Sequence, residues 1–203
     1  MKSFNEKSIA AYNKMAYNYD DSPEGQFTLA YKRYLLETME LTGRAAVLDV
    51  ACGTGSLLKM LSKRADISGY GIDIAGEMVK KAAQSCPQMT FKTAGCEHIP
   101  FGDASFDILT VCAAYHHFPD VKAFAKEARR VLKAGGSLYI AEMYLPPLIR
   151  ILCNPFVPLL LPDGDVRFYS SNQIVHNFEP YGFSSAGVFY KENIQIVRLR
   201  KNA

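Results

Sequence analysis

Apolar residues recur along this chain with two alternating periods, and the alternation sets the fold it predicts. Apolar runs of strand length lie near residues 45–50, 68–74, 89–94, 106–112 and 137–142, while stretches near 55–64, 76–85 and 120–132 repeat apolar residues at helical spacing. The last of these is marked most fully: Asp120 can cap it, Val121, Phe124, Ala125, Ala128, Val131 and Leu132 form its stripe, and Gly135-Gly136 ends it. Ahead of the first strand, residues 5–18 and 27–41 read as polar-faced helices separated by the turn cluster Asp20-Asp21-Ser22-Pro23-Glu24-Gly25. Further on, Ser170 and Gln173 offer a capping box for a helix whose Ile174, Val175, Phe178 and Tyr181 face inward, and strands near 183–190 and 193–200 are close enough to pair as a hairpin. Such alternation predicts an α/β fold, a mostly parallel seven-stranded sheet with helices on both faces and an antiparallel C-terminal strand.

Composition narrows the class without naming a chemistry. At 203 residues, 49% hydrophobic and 21% charged, the chain fits one globular domain with a sizeable core. A net charge of +3 is only mildly basic, and Lys80-Lys81, Arg129-Arg130 and Arg198-Arg200-Lys201 fall on different elements, which favours solvated faces over a nucleic-acid patch. Five cysteines, at 52, 86, 96, 112 and 153, have no metal spacing and suit reduced thiols in a cytoplasmic protein. Neither a signal peptide nor an integral membrane segment is visible, and no repeat or low-complexity stretch interrupts the pattern.

The chemistry concentrates at Val47-Leu48-Asp49-Val50-Ala51-Cys52-Gly53-Thr54-Gly55, where an apolar run ends on a carboxylate and turns into a helix through two glycines. Glycines there can take positive φ and let a ligand lie on the backbone, and the helix they open offers free amides. A dinucleotide fingerprint needs a third glycine where this chain has Leu58, and a phosphate-binding P-loop needs a lysine that is absent after Gly55. Twenty-four residues after Asp49, Asp73 ends a second apolar run. In an open parallel sheet both acids face one crevice, and the second can accept hydrogen bonds from two ribose hydroxyls.

With Ile99-Pro100-Phe101, Ser105-Phe106-Asp107, Tyr115-His116-His117-Phe118 and Arg130-Val131-Leu132-Lys133-Ala134-Gly135-Gly136 following in order, the chain resembles the class I S-adenosylmethionine-dependent methyltransferases. The resemblance is to the ubiquinone/menaquinone biosynthesis group (methyltransferase type 11), and it covers roughly residues 10–143. It implies a Rossmann-like doubly wound sheet and one methyltransferase domain over 1–203: an N-terminal helical lid at 1–42, a cofactor-binding core at 43–143, an apolar proline-rich acceptor lid at 144–170, and a C-terminal helix and hairpin at 171–203. It further implies that Asp49 and the backbone of Ala51, Gly53 and Gly55 hold the methionine part of S-adenosylmethionine, that Asp73 takes the ribose, and that Ile74 and Met78 pack on adenine. Family members usually carry Asp-Ala after the third strand, where this chain has Gly95-Cys96. The Cys96 amide then reaches the ring, and Glu97 or water stands in for the missing carboxylate. Cys112 turns its carbonyl towards the methionine amine, and among Tyr12, Tyr17 and Tyr19 the last is the expected lid contact.

Methyl transfer from a sulfonium requires an aligned nucleophile and exclusion of water, and an acidic hydroxyl or enolate acceptor adds the need for a base. His117, and next to it His116, are the candidates, with a loop-shaping role as the competing reading. Glu142 also points towards the crevice, with a structural hydrogen bond as its alternative. Leu148, Ile149, Ile151, Leu152, Phe156, Val157 and Leu159-Leu160-Leu161 make the 144–170 segment apolar, which fits a lipophilic acceptor, a homodimer contact or a core of its own. The sequence thus predicts methylation of a small, lipophilic molecule, with an NAD(P)-dependent oxidoreductase and a non-catalytic adenosylmethionine-binding protein as alternatives.

Overall fold

A computed structural model describes residues 4–41, 43–157 and 164–203. Pro158, Leu159, Leu160, Leu161 and Pro162 of the apolar segment lie outside the described residues. Elements follow in the order α1 (Phe4–Met15), α2 (Pro23–Thr38), β1 (Ala45–Val50), α3 (Ser56–Ser62), β2 (Ile67–Asp73), α4 (Gly76–Ser85), β3 (Thr90–Thr93) and β4 (Phe106–Cys112). After them come α5 (Val121–Val131), β5 (Leu132–Met143), α6 (Pro147–Cys153), α7 (Ser171–Phe178), β6 (Phe183–Lys191) and β7 (Ile194–Lys201). The strands form one seven-stranded sheet ordered β3-β2-β1-β4-β5-β7-β6, in which β7 alone runs opposite to the other six. Strand order reverses between β1 and β4, so their carboxyl ends border the crevice where ligands bind in such sheets.

Alternate residues of the central strands feed opposite cores. Leu48, Val50, Leu109, Val111 and Ile140 pack with Phe124 and Ala128 of α5 and Ile174 and Phe178 of α7. Val47, Ile108, Tyr139 and Ala141 pack on the other face with Tyr31 and Leu35 of α2 and Leu57 and Leu61 of α3. Both faces are therefore covered, as the near-continuous apolar runs of β1 and β4 require. No helix among the described residues is long and apolar enough to cross a membrane.

Several boundaries differ from the sequence pattern, α1 ending at Met15 rather than near 18 and α2 at Thr38 rather than near 41. The cluster read as a turn opens α2, because the Ser22 hydroxyl accepts from the Gly25 amide and Pro23 occupies the first helical turn, where its missing N–H costs nothing. At the end of α5, Gly135-Gly136 is not the stop. The buried Leu132 already turns extended and pairs with Phe106, and the glycines lie in the irregular stretch of β5 before Ser137 pairs with Ile108. The capping box at Ser170 and Gln173 forms as read.

Candidate functional site

Beyond the ends of β1, β2 and β4 opens a cavity of about 910 Å³, part of it open to solvent. Of the residues singled out in the sequence, Tyr19, Asp49, Ala51, Gly53, Asp73, Ile74, Met78, Cys96, Glu97, Cys112 and His117 line it. Gly55 and His116 do not. Gly55 acts behind the wall: at φ +75 it caps α3, and a Cβ there would stand 3.1 Å from Ala82 Cβ and Phe91 Cζ. Gly53, at φ +53, has open space where a Cβ would be, so the backbone itself is the surface offered to a ligand.

The carboxylates are held by different partners. Asp49 is 2% exposed and accepts a 2.6 Å hydrogen bond from the Thr110 hydroxyl of β4. Burial pushes its carboxyl up to about 7, against the Thr110 hydrogen bond and the charge of Lys32. Lys32 is itself buried and lines the cavity, and sequence reading did not single it out. Its signal was present, since it follows Thr28 by four residues and precedes Leu35 by three, on the buried face of α2. Asp73 uses one oxygen for the Gly53 amide and the other for the Ala75 amide, both at 2.8 Å. It therefore braces the glycine turn and the start of α4 together. Burial raises its carboxyl, opposed by those amides.

Ala51 and Ala113, directly beyond β1 and β4, both sit in the left-handed region at φ 60 and φ 52, and both line the cavity. Each such residue costs about 1–2 kcal/mol, a strain retained where the chain must turn sharply beside a site. Glu97 supplies a carboxylate beside Gly95. A Cβ on Gly95 would stand 2.7 Å from Glu97 Oε2, so the glutamate occupies the room left by the absent side chain. Burial pushes the Cys112 and Cys96 thiols far up, which suits packing rather than nucleophilic chemistry.

The other end of the cavity carries a side-chain network. Tyr12 Oη and His117 Nε2 lie 3.0 Å apart, and the Tyr12 ring meets His117 and Tyr19 edge-on. Thr54 donates to Asp20 at 2.8 Å and ties the Tyr19–Asp21 turn to the glycine loop. Tyr17 is exposed, so of the three N-terminal tyrosines only Tyr12 and Tyr19 reach the cavity. Glu142 is buried outside the cavity, where it accepts from the Tyr115 amide at 2.8 Å and from His116 Nδ1 at 2.9 Å. His116 Nε2 in turn faces Asp165 at 3.3 Å. Burial lowers the His116 pKa, but Glu142 and Asp165 outweigh it and hold the imidazole above its ordinary value. Burial and the neighbouring His116 push His117 down to about 3. Leu148, Ile149, Ile151 and Leu152 of α6, with Phe156, are exposed, whereas Val157 is buried.

Known proteins share this architecture and its sequence. The model of a family described as a methyltransferase domain matches residues 48–140. A ubiquinone/menaquinone biosynthesis C-methyltransferase, UbiE, of Geotalea daltonii is 31% identical, with 77% of each chain covered. The demethylmenaquinone methyltransferase of Thermotoga maritima is 29% identical over 78% of this chain and 82% of its own. Among solved structures, a chain from the complex between the Haloferax volcanii Trm112 methyltransferase activator and a methyltransferase superposes with a TM-score of 0.80 at 18% identity, covering 95% of this chain and 98% of its own.

Proposed function

The chain belongs to the S-adenosylmethionine-dependent methyltransferases of the ubiquinone/menaquinone biosynthesis group, and from that premise we propose that it methylates a ring carbon of a lipophilic quinol. S-Adenosylmethionine is its cofactor and, when bound, supplies an electrophilic methyl group on a sulfonium. The residues present fit that group. The buried Asp49, beside the open backbone at Gly53, suits the ammonium of its methionine part, with Ala51, Gly55 and the Cys112 carbonyl shaping the same turn. Asp73 keeps lone pairs for the ribose hydroxyls beyond its two amide partners, and Ile74 and Met78 flank the adenine. Glu97, placed over Gly95, takes the part of the missing aspartate, with the Cys96 amide beside it. Tyr19, edge-on to Tyr12 and packed with it beside Met78, closes the cavity where its cofactor and acceptor ends meet.

At the acceptor end, His117 is the imidazole that reaches the cavity, and it works as a pair with Tyr12. In this reading His117 Nε2–H donates to Tyr12 Oη and the tyrosine hydroxyl donates to the oxygen of the quinol bound as its anion. The proton that methyl replaces at the ring carbon leaves to solvent through the open side of the cavity. His116 is a positioning residue, held by Glu142 behind the wall. The partner is a small molecule rather than nucleic acid, the compartment is the cytoplasm, and the outward-facing apolar side chains of α6 meet the acceptor's tail or a second copy of the chain. The observation that carries the reading is the continuity of one cavity from Asp49 and Asp73 to Tyr12 and His117. Incubation with methyl-labelled cofactor and a demethylated menaquinol is expected to place label on ring carbon and release S-adenosylhomocysteine. Label appearing only on an oxygen or nitrogen acceptor would overturn C-methylation, and tight cofactor binding with no turnover across an acceptor panel would leave a binding protein.

A further inference from the structure

His116, His117 and Asp165 bring three metal-type ligand atoms within 4.8 Å of one another. The structure assigns them, we infer, as a site for one divalent first-row transition ion, held by His116 Nε2, His117 Nδ1 and Asp165 Oδ1. His116 Nε2 lies 3.3 Å from Asp165 Oδ1 and His117 Nδ1 lies 3.8 Å from the same oxygen. Ligands at about 2.0–2.2 Å from a tetrahedral ion stand about 3.4 Å apart, so both separations from Asp165 are close to coordination, and the two imidazole nitrogens, within 4.8 Å of one another, would draw together on binding. Two imidazoles and a carboxylate are a borderline donor set that suits zinc or ferrous iron rather than calcium or magnesium.

The outer nitrogens make the stronger argument. A metal-binding histidine donates its other N–H to a fixed partner, which sets the tautomer and aims the ligating lone pair. Here His116 Nδ1 is hydrogen-bonded to the buried Glu142, which frees Nε2 to face Asp165. His117 Nε2 is hydrogen-bonded to Tyr12, which frees Nδ1 to face the same carboxylate. That Nδ1 is buried and has no side-chain partner within hydrogen-bond distance. The scaffold also pre-aligns the third ligand: Val166 N donates to the His116 carbonyl at 2.8 Å, fixing Asp165 beside the imidazoles.

Three protein ligands leave at least one coordination position open. His117 lines the cavity, so the ion would lie directly behind its wall and clasp the chain before α7 to the loop after β4. The role given to Tyr12 and His117 above is unchanged, because metal on Nδ1 keeps the proton on Nε2. Binding is the readout, so the inference does not depend on the acceptor.

The full chain, stripped with chelator and freed of any affinity tag, would be titrated with Zn²⁺ by calorimetry and with Co²⁺ by visible absorption. One ion per chain with micromolar or tighter Kd is expected, with ligand-field bands for Co²⁺. Glu142→Gln should weaken binding about 10–100-fold through the lost orientation of His116. Asp165→Asn should weaken it at least as much, and serves on its own where the Glu142 variant fails to fold. His176→Ala, on an exposed helical position, should change nothing. No binding at 100-fold excess of ion, binding unmoved by Asp165→Asn in a folded protein, or loss of binding in His176→Ala would each overturn the site.

Discussion

At the β1–β2 end of the cavity, two carboxylates leave strand tips and meet groups that the sheet itself brings to them. Asp49 is answered by Thr110 on the next strand, and Asp73 by amides of Gly53 and Ala75. At the β4–β5 end, Tyr12, Glu142, Asp165 and the His116-His117 pair arrive from four separate parts of the chain and are positioned by one another's side chains. One end is backbone architecture with two carboxyl groups buried in it; the other is a network. Backbone architecture tolerates change poorly, because removing a buried carboxylate also releases the amides it satisfies. A network can lose one member and keep its fold.

The largest expected break of this contrast is Asp73→Ala. Losing both the ribose contact and the brace across the glycine turn is expected to weaken S-adenosylmethionine binding about 100-fold, or about 2.7 kcal/mol. Calorimetry checks it; affinity unchanged within twofold in a folded variant would remove Asp73 from the cofactor end.

A tenfold effect is expected from pH through Asp49. With its carboxyl pushed up to about 7, a cationic ligand binds the ionised form, so affinity should rise about tenfold between pH 6 and pH 8 and flatten above. Binding should take up fewer protons than it releases, read as a dependence of binding heat on buffer ionisation. Stability of the ligand-free protein moves the opposite way. Between about pH 4 and pH 7 the folded state holds a proton that the unfolded chain has lost, so Asp49 makes unfolding easier as pH rises through that window. Asp49→Asn should flatten both profiles, and a retained pH slope in binding would assign the titration elsewhere.

The smallest effect belongs to the network. Tyr12→Phe is expected to leave cofactor affinity within twofold and to lower kcat/KM for the quinol about fivefold, the worth of about one neutral hydrogen bond. An equal loss in cofactor binding would place Tyr12 at the other end.

The same contrast explains what could be read from sequence. Asp49, Gly53 and Asp73 announce themselves because strand, turn and helix follow one another within a short stretch, and β1, α4 and β4 keep the boundaries their apolar patterns predict. Glu97 was legible only against the gap at Gly95. Asp165 was not legible at all: no local pattern links it to His116, 49 residues earlier by the numbering, and only tertiary packing closes that distance. Lys32 was passed over for a different reason: its spacing from Thr28 and Leu35 put it on the inward face of α2, but a lysine on a helix is ordinarily solvated. Glycine pairs misled at Gly135-Gly136, where a strand irregularity has the same composition as a helix stop.

The position of β7 has a consequence for biosynthesis. Residues 194–201 lie inside the sheet, between β5 and β6, although they are its last strand in chain order. On the ribosome, β1 to β5 emerge first and can pair in parallel while residues 137–143 wait as an open edge for partners some 50 positions later. At ordinary elongation rates that wait lasts roughly 3–10 s. Throughout it, the growing chain carries a nearly complete cofactor cleft beside an unclosed margin, and any factor that shelters the nascent protein has that margin to cover.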